Sequence, residues 1–522
     1  MIEVITQAIE KAVGAGVSVE VTASDKPEFG HYATNVAFKL SPSLKKAPLA
    51  IAQELAEKLR ADSELFAKVE AVAPGFINFW IAPAELHREL GEILNQKKGY
   101  GESSVESRKS KVNIEYVSAN PTGPLTMANG RGGFYGHALA NVLEKAGHTV
   151  TREYYVNDAG NQVRLLGESI LADLGVMAPA ENHYKGEYIK GLAKSLKSKV
   201  KSKSAEQVGK MAAKILLASI KKSLKKAGIK HDTWFSEEAN LHKKKELERT
   251  LAFLESKGAV EKKDGATWLG EGVLIKSDGT PTYFLADLAY HYDKLIARKF
   301  DLAIDIWGAD HHGYAQRMKN GVAALGLPAD KLKILITQLV RLVSGGKEVR
   351  MSKRKGEFVT MDDLIDEVGA DAARWFFLMH SLDTHMDFDL DLAKERSNKN
   401  PVFYAQYAYV RAVNILRKSK VKSITSKVDL RMLKAESEIG LMLELEKFPD
   451  MIAKTAEDYQ VHRLTKYAAD IAKALHTFYE KERVMGIENK ELKQARLALV
   501  SATKIVLENI FAVLGVTAPK KM

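Results

Sequence analysis

Two loops hold the residue types that could manage a phosphate group. The first, NPTGPLTMANGRGG, runs from Asn120 to Gly133 between a strand-like run, KVNIEYVSA, and a helical pattern. Glycine at a strand-to-helix junction lets backbone N–H groups and the helix dipole come close to an anion. The second, EVRMSKRKGEFVTMDDL, sets Met351, Ser352 and Lys353 in a basic loop with glycines on both sides. A lysine on such a loop can swing onto a polyphosphate and stabilise the charge that builds as pyrophosphate leaves. Thr360 and Asp363 then read as an N-cap pair opening the next helix.

Neither loop fits the commoner nucleotide signatures. The chain has no Gly-x4-Gly-Lys-Ser/Thr. Gly130, Gly132 and Gly136 miss the Gly-x-Gly-x-x-Gly spacing because position 135 is Tyr, although Glu153 could imitate a ribose-binding acid. Asp310-His311-His312 resembles the acid–histidine cluster of metal phosphoesterases. Such enzymes need further aspartates at separate strand ends, and only Asp301 and Asp305 lie nearby. Read alone, the first loop is equally a tight turn without a ligand, and MSK an ordinary surface loop.

The elements that must carry these loops change texture along the chain. At 522 residues the chain exceeds one hydrophobic core, and three domains are expected. Residues 1–105 mix helix and strand into an α+β domain. Residues 106–375 alternate strand and helix, which argues for a Rossmann-like parallel sheet, with a lysine-rich helical insertion near 168–230. Residues 376–522 read as a bundle of amphipathic helices. Cysteine is absent, which excludes disulfides, thiolate nucleophiles and Cys-type zinc sites. No uninterrupted apolar run reaches about 18 residues, so no membrane span is expected, and MIEVITQAIEKAV is unlike a signal peptide. The net charge of +12 is concentrated in lysine clusters such as KSLKSKVKSKS and KKSLKKAGIK. Together these suit a polyanionic partner.

In this order and spacing the two loops resemble the signature pair of class I aminoacyl-tRNA synthetases. The surrounding segments narrow the resemblance to the arginyl-tRNA synthetase family: EFGHYATNVAFKL and PGFINF, REYYVNDAGNQVRLLGES, GTPTYFLADLAYH, WGADHHGY, RMSKRKGEFVT, GADAARWFFL and the ending LGVTAPKKM. The resemblance covers essentially the whole chain. It implies an arginine–tRNA ligase that uses ATP, with Mg2+ carried by the nucleotide and no metal site of its own. L-arginine and tRNA(Arg) would be its other partners. It also implies no covalent enzyme intermediate and a requirement for bound tRNA before arginine is activated. The cytoplasm is the default location, and a monomer is expected.

The resemblance assigns residues. ATP falls to Pro121, Gly123, Asn129, Gly130, Gly132, Asp310, His311, His312, Met351, Ser352 and Lys353. Catalysis falls to Lys353, Asn129 and Thr126. Arginine falls to Asn120, Glu237, Tyr283, Asp287 and His311, two of them acids suited to the planar guanidinium fork. The helical bundle becomes the anticodon-binding domain, with Gln406, Tyr407 and Arg411 facing unpaired bases. The N-terminal domain becomes the module for the tRNA elbow, with Tyr32, Asn35 and Phe76. One departure stands out. The family's first signature usually reads His-x-Gly-His, and here Thr126, Met127, Ala128 and Asn129 occupy it. A tRNA-binding paralogue with impaired catalysis is therefore the alternative expectation.

Overall fold

The computed structural model describes residues 1–14, 16–24, 26–61, 64–102, 109–349, 359–420 and 428–522. The N-terminal part is α+β, as expected. Helix α1 (Ile2–Val13) buries Ile5 and Ile9. Strands β1 (Val21–Ala23), β2 (Tyr32–Thr34), β3 (Phe66–Val72) and β4 (Phe76–Ile81) form an antiparallel sheet in the order β1-β2-β4-β3. Helices α2 (Val36–Leu44) and α3 (Pro48–Ala61) pack on it. Helix α4 (Pro83–Gln96) leads away, burying Leu86, Leu90, Ile93 and Leu94.

The centre is a five-stranded, all-parallel sheet. Its strands are β5 (Lys111–Glu115), β6 (Thr149–Val156), β7 (Thr233–Ser236), β11 (Leu302–Gly308) and β12 (Leu332–Thr337), in the order β12-β11-β5-β6-β7. The chain winds outward from β5 in one direction, then returns to β5's other side for β11 and β12. The carboxyl edge between β5 and β11 is thus the topological switch point, where doubly wound sheets bind ligands. Helix α5 (Met127–Lys145) crosses from β5 to β6. Its glycines allow a close approach: a Cβ on Gly136 would sit 2.4 Å from the Tyr116 ring.

The insertion is helical and has its own core. Helices α6 (Gly160–Asp173), α7 (Glu187–Leu196) and α8 (Ala205–Lys226) enclose Leu166, Ile170, Ile189, Leu192 and Leu216. A Cβ on Gly167 or Gly209 would come within 1.7 or 1.8 Å of a facing backbone carbonyl, so α6 and α8 touch along their backbones. Then follow α9 (Glu246–Ser256), the antiparallel sheet of β8 (Glu261–Lys263), β9 (Ala266–Leu269) and β10 (Gly272–Ile275), α10 (Tyr283–Tyr292) and α11 (His312–Ala324). Past β12, strands β13 (Val340–Ser344) and β14 (Lys347–Glu348) form a hairpin, turned at Gly345 and Gly346 with φ of 58° and 73°.

Helices α12 (Met361–Val368) and α13 (Ala370–Leu378) precede β15 (Met386–Asp389) and α14 (Leu390–Lys394). The expected division at 375/376 falls inside α13, and β15 pairs in parallel with β13, so the catalytic unit continues past residue 376. Helices α15 (Pro401–Ser419), α16 (Glu436–Glu446), α17 (Phe448–Asp458), α18 (His462–Lys481) and α19 (Lys490–Leu514) make the bundle, with α4 packed against α16 and α19. Helix α19 has the length and hydropathy of a membrane span, yet 72% of that stretch is buried within the fold. Its apolar length is that of a core helix.

Beneath the switch point lies a row of buried charge. Asp305, Glu115 and Glu153 are in register across β11, β5 and β6, so they share one face of the sheet. Helix α10 continues as a π-helical turn, Asp293–Ala297, whose Lys294 reaches Glu115 at 2.7 Å and Asp305 at 2.8 Å. Arg298 grips both oxygens of Glu153 at 2.5 and 2.8 Å, and the Tyr290 hydroxyl donates to the same carboxylate at 2.7 Å. His291 meets Asp305 at 2.8 Å. Burial works against ionising Asp305 and Glu153, but these cations hold both below the usual carboxylate range. Replacing Lys294 by Met leaves two buried carboxylates without their shared cation. Lys294→Met is expected to cost about 3–5 kcal/mol, read as a shift of the urea unfolding transition.

Candidate active site

The backbone is strained where β5 ends. Val117 and Ser118 adopt left-handed φ of 70° and 37°, uncommon for any side chain and more so for a β-branched one. Side chains hold the turn: the Tyr155 N–H donates to Ser118 Oγ at 3.0 Å, and the Tyr154 hydroxyl to the Ala119 carbonyl at 2.7 Å. The turn delivers Asn120, whose amide donates to Gln162 Oε1 on α6 at 2.6 Å. Pro121 is buried and Gly123 half-buried before the chain enters α5.

The two residues standing where imidazoles were expected serve each other. Thr126 is the N-cap of α5: its Oγ1 accepts from the Asn129 N–H at 3.3 Å, and Asn129 Oδ1 accepts from the Thr126 N–H at 2.9 Å. This capping box stabilises the helix start but consumes Thr126 Oγ1 and Asn129 Oδ1. What the site gains is the partial positive charge of a well-formed helix N-terminus at the carboxyl edge of the sheet. Gly130 leaves room for Met361, and Gly132 faces Ile306 and Thr337 at the ends of β11 and β12.

The chain that follows the lysine loop is stitched to this N-terminus. The Met127 N–H donates to the Val359 carbonyl at 3.0 Å, and the Met361 N–H to the Leu125 carbonyl at 2.9 Å. Thr360 and Asp363 form the expected capping box of α12, with the Asp363 N–H donating to Thr360 Oγ1 at 3.1 Å. Met351, Ser352 and Lys353 lie outside the described residues, as do Arg350, Arg354 and Lys355. The loop's two supports are clear, because β14 and the 359–361 segment bracket it. Arg131, with no exposed surface, ties α5 to the same region through the carbonyls of Gln338 and Ser381 at 2.8 and 2.7 Å.

The two acids assigned to the guanidinium lie close enough for each to sense the other's surroundings, with Tyr155 between them. Glu237 follows directly on β7 and is buried, contacting the His242 ring at 3.0 Å. Burial pushes the phenol of Tyr155, at the end of β6, well up, and the neighbouring charges of Glu237 and Asp287 act in the same direction. Asp287 on α10 accepts from the Tyr314 hydroxyl at 2.6 Å. Burial raises the Asp287 carboxyl to about 6, with Glu237 and Glu115 contributing in the same direction and the Tyr314 hydrogen bond opposing. Burial, reinforced by the Asp287 charge, pushes the Tyr314 phenol far up, so it remains a donor. Tyr314 also stacks on Trp307, which contacts the His311 ring. Tyr314, Tyr155 and Gln162 carry no sequence signal of their own, since each gains its role from a neighbour far along the chain.

Other assigned residues sit at the rim. Tyr283 opens α10 and is 65% exposed, one turn above Asp287. Asp310, His311 and His312 are exposed where β11 gives way to α11. Asp305 and Glu153 are committed to Lys294 and Arg298, so neither joins a metal cluster nor meets a ribose.

Two RNA-facing expectations change. Tyr32 is buried and donates to Glu446 on α16, joining the N-terminal sheet to the bundle, so it is not a surface contact for tRNA. Burial pushes the Glu446 carboxyl up to about 8. Asn35 is half-buried at the start of α2, and Phe76 is exposed beside it, edge-on to Phe38. On the bundle, Arg411 lies 5.0 Å from each of the Tyr407 and Tyr479 rings, an exposed stacking patch that adds Tyr479 to the expected set. Gln406 is drawn away: its amide donates to Asp371 at 3.0 Å and the Thr517 carbonyl at 2.9 Å. It lines a cavity of about 830 Å³ with Phe403 and Arg396.

Residues 89–377 match the family model described as "tRNA synthetases class I (R), catalytic domain", so this parallel sheet and its two loops are those of a class I aminoacyl-tRNA synthetase. The flanks match in turn: residues 1–81 the "Arginyl tRNA synthetase N terminal domain" and 405–522 the "DALR anticodon binding domain". An arginine–tRNA ligase of Carboxydothermus hydrogenoformans is 43% identical over 97% of this chain and 94% of its own length. One of Bacillus subtilis is 42% identical over 96% and 94%. The solved arginyl-tRNA synthetase of Thermus thermophilus shares the fold, with a TM-score of 0.82 over 100% of both chains at 22% identity. The chain belongs to the arginyl-tRNA synthetase family, and it is an enzyme that joins arginine to tRNA. Nothing in these likenesses supports a paralogue that binds tRNA without acting on it.

On the expectation that Asp287 receives the guanidinium, which favours the charged carboxylate, protonation as pH falls through about 6 opposes arginine binding. The arginine KM is expected to rise below about pH 6. Tyr314→Phe removes a donor to the carboxylate, which moves that break to higher pH and raises KM at neutral pH roughly tenfold with little change in kcat. The pH profile of KM in arginine-dependent pyrophosphate exchange checks both.

Proposed function

We propose that the groups gathered at the carboxyl edge of the parallel sheet activate arginine with ATP and pass it to tRNA(Arg). The observation that carries this reading is convergence. Glu237 after β7, Tyr155 at the end of β6, Asn120 after β5 and Tyr314 after β11 all emerge at one edge, beside the capped N-terminus of α5. Asp287 and Glu237 take the guanidinium, with Tyr283 at the rim, and Asn120 and His311 hold the arginine backbone near the nucleotide. Pro121, Gly123, Gly130, Gly132, Asp310, His311 and His312 surround ATP. Mg2+ arrives on its phosphates.

The carboxylate of arginine attacks the α-phosphate in line, forming the adenylate and releasing pyrophosphate. A terminal ribose hydroxyl of the tRNA then attacks the adenylate carbonyl, and AMP leaves. The chain's part is positional and electrostatic. The α5 dipole and Lys353, with Met351 and Ser352 in its loop, stabilise the departing charge. Asn129 and Thr126 keep the helix start in place. We assign residues 1–105 to the tRNA elbow through Asn35 and Phe76, and the bundle to the anticodon through Tyr407, Arg411 and Tyr479. The enzyme works as a monomer in the cytoplasm.

Arginine-dependent exchange between pyrophosphate and ATP, measured with and without tRNA, tests the reading. Exchange only with tRNA present is expected. Lys353→Ala should slow it about 10²- to 10³-fold, the cost of one transition-state contact, while tRNA affinity stays within about twofold. An unaltered rate would mean the phosphates are managed by other groups.

A further inference from the structure

Most of the net charge sits in one stretch of the helical insertion, which takes no direct part in the chemistry above. Residues 194–230 hold twelve lysines against one acid, Glu206, a net of +11 in a chain whose total is +12. Eleven of the twelve lysines are exposed and Lys210 is half-buried. Only Lys210 and Lys226 pair with carboxylates, Lys210 with Glu206 and Glu238, Lys226 with Asp362 and Asp366; the other ten have no such partner among the described residues. Helix α8 organises part of this set. Its apolar face, Val208, Ala212, Leu216, Ile220 and Leu224, is buried. Lys214, Lys221 and Lys225 fall within about 40° of one another on the opposite side, with Lys222 beside them, a stripe about 16 Å long.

The stripe has a direction. At one end of α8, Lys210 pairs at 3.4 Å with Glu238, the neighbour of Glu237. At the other, Ser223 donates to Asp362 at 2.5 Å, on the helix whose cap adjoins Thr126. Tyr188, at the start of α7, comes within 3.8 Å of a Cβ built on Gly123. The insertion therefore flanks the mouth of the site along its length. A tRNA must bring its 3′ terminal ribose into that mouth, and the duplex behind the terminus is a polyanion that must lie on something.

We infer that the lysine stripe of α8, read through Lys214, Lys225 and the flanking Lys222, is the seat for the phosphate backbone of the tRNA acceptor arm; Lys221, whose ammonium lies 4.4 Å from the Trp234 ring centre, is left in place. This rests on the ligase reading, which wild-type charging of tRNA(Arg) with arginine tests separately. Among the described residues none of the three lysines is paired with a carboxylate, so the triple variant Lys214→Glu, Lys222→Glu, Lys225→Glu is expected to keep the fold, checked by its circular dichroism. Removing one lysine–phosphate ion pair lowers the slope of log Kd against log salt by roughly 0.7–0.9.

The measurement uses the full chain with two RNA probes, a minihelix carrying the acceptor stem with its single-stranded 3′ end, and an anticodon stem-loop of the same tRNA. For the triple variant, the minihelix Kd should rise at least about tenfold and its salt slope should fall by about two. The stem-loop Kd should be unchanged, and KM should rise for tRNA but not for arginine or ATP. The corresponding Lys→Gln triple should weaken minihelix binding in the same way but less. An unchanged minihelix Kd and slope would overturn the inference. So would equal weakening toward both probes, which would mark a diffuse field rather than a seat.

Discussion

The structure depends on neutralising three carboxylates that the sheet places side by side. In-register positions on adjacent parallel strands put Asp305, Glu115 and Glu153 on one buried face, at the strands that define the switch point. Uncompensated, such a row is untenable in a low-dielectric interior. Lys294 and Arg298 supply the counter-charge from the continuation of α10, and the π turn at 293–297 brings Lys294 inward. That arrangement fixes α10 against β5, β6 and β11. Since α10 carries Asp287, a buried structural ion network also sets the position of the acid we propose for the guanidinium.

The same economy of groups is visible at the signature loop. A chain with imidazoles at 126 and 129 could place them on phosphates. Thr126 and Asn129 instead close a capping box, and a second box at Thr360 and Asp363 sits across an isolated bridge from the first. Two helix N-termini are thereby presented together at the carboxyl edge of the sheet. Orphan N–H groups and aligned dipoles carry positive potential without a titratable group. The permanent cation in our proposal comes from the lysine loop; the 359–361 segment that follows it is anchored to α5, and Arg131 ties α5 to the chain around Gln338 and Ser381.

The three parts of the chain are held by contacts that join distant segments. Tyr32 reaches Glu446, α4 packs on α16 and α19, and Gln406 on α15 holds both α13 and the C-terminal segment. The anticodon-facing bundle and the catalytic sheet therefore meet along packed, hydrogen-bonded surfaces.

Much was legible in the sequence because it depends on local periodicity and on ordered signatures: the βα alternation, the helical end of the chain and the Thr360 cap. Where expectation and structure part, the deciding contact joins residues far apart. Tyr32 has the composition of an RNA-stacking residue, but its hydroxyl meets an acid more than four hundred positions away. Gln406 shares a helix with Tyr407, yet tertiary packing turns its amide to Asp371 and Thr517. A change in helical pattern marks an end for the catalytic unit, but β15 pairs with β13 across it. The sequence alone determined which chemistry the chain carries, since residue types and their order survive any folding. Only the tertiary structure decided which side chains are free to perform it, because hydrogen-bond partners and burial are set by neighbours that lie close in space and far apart in the chain.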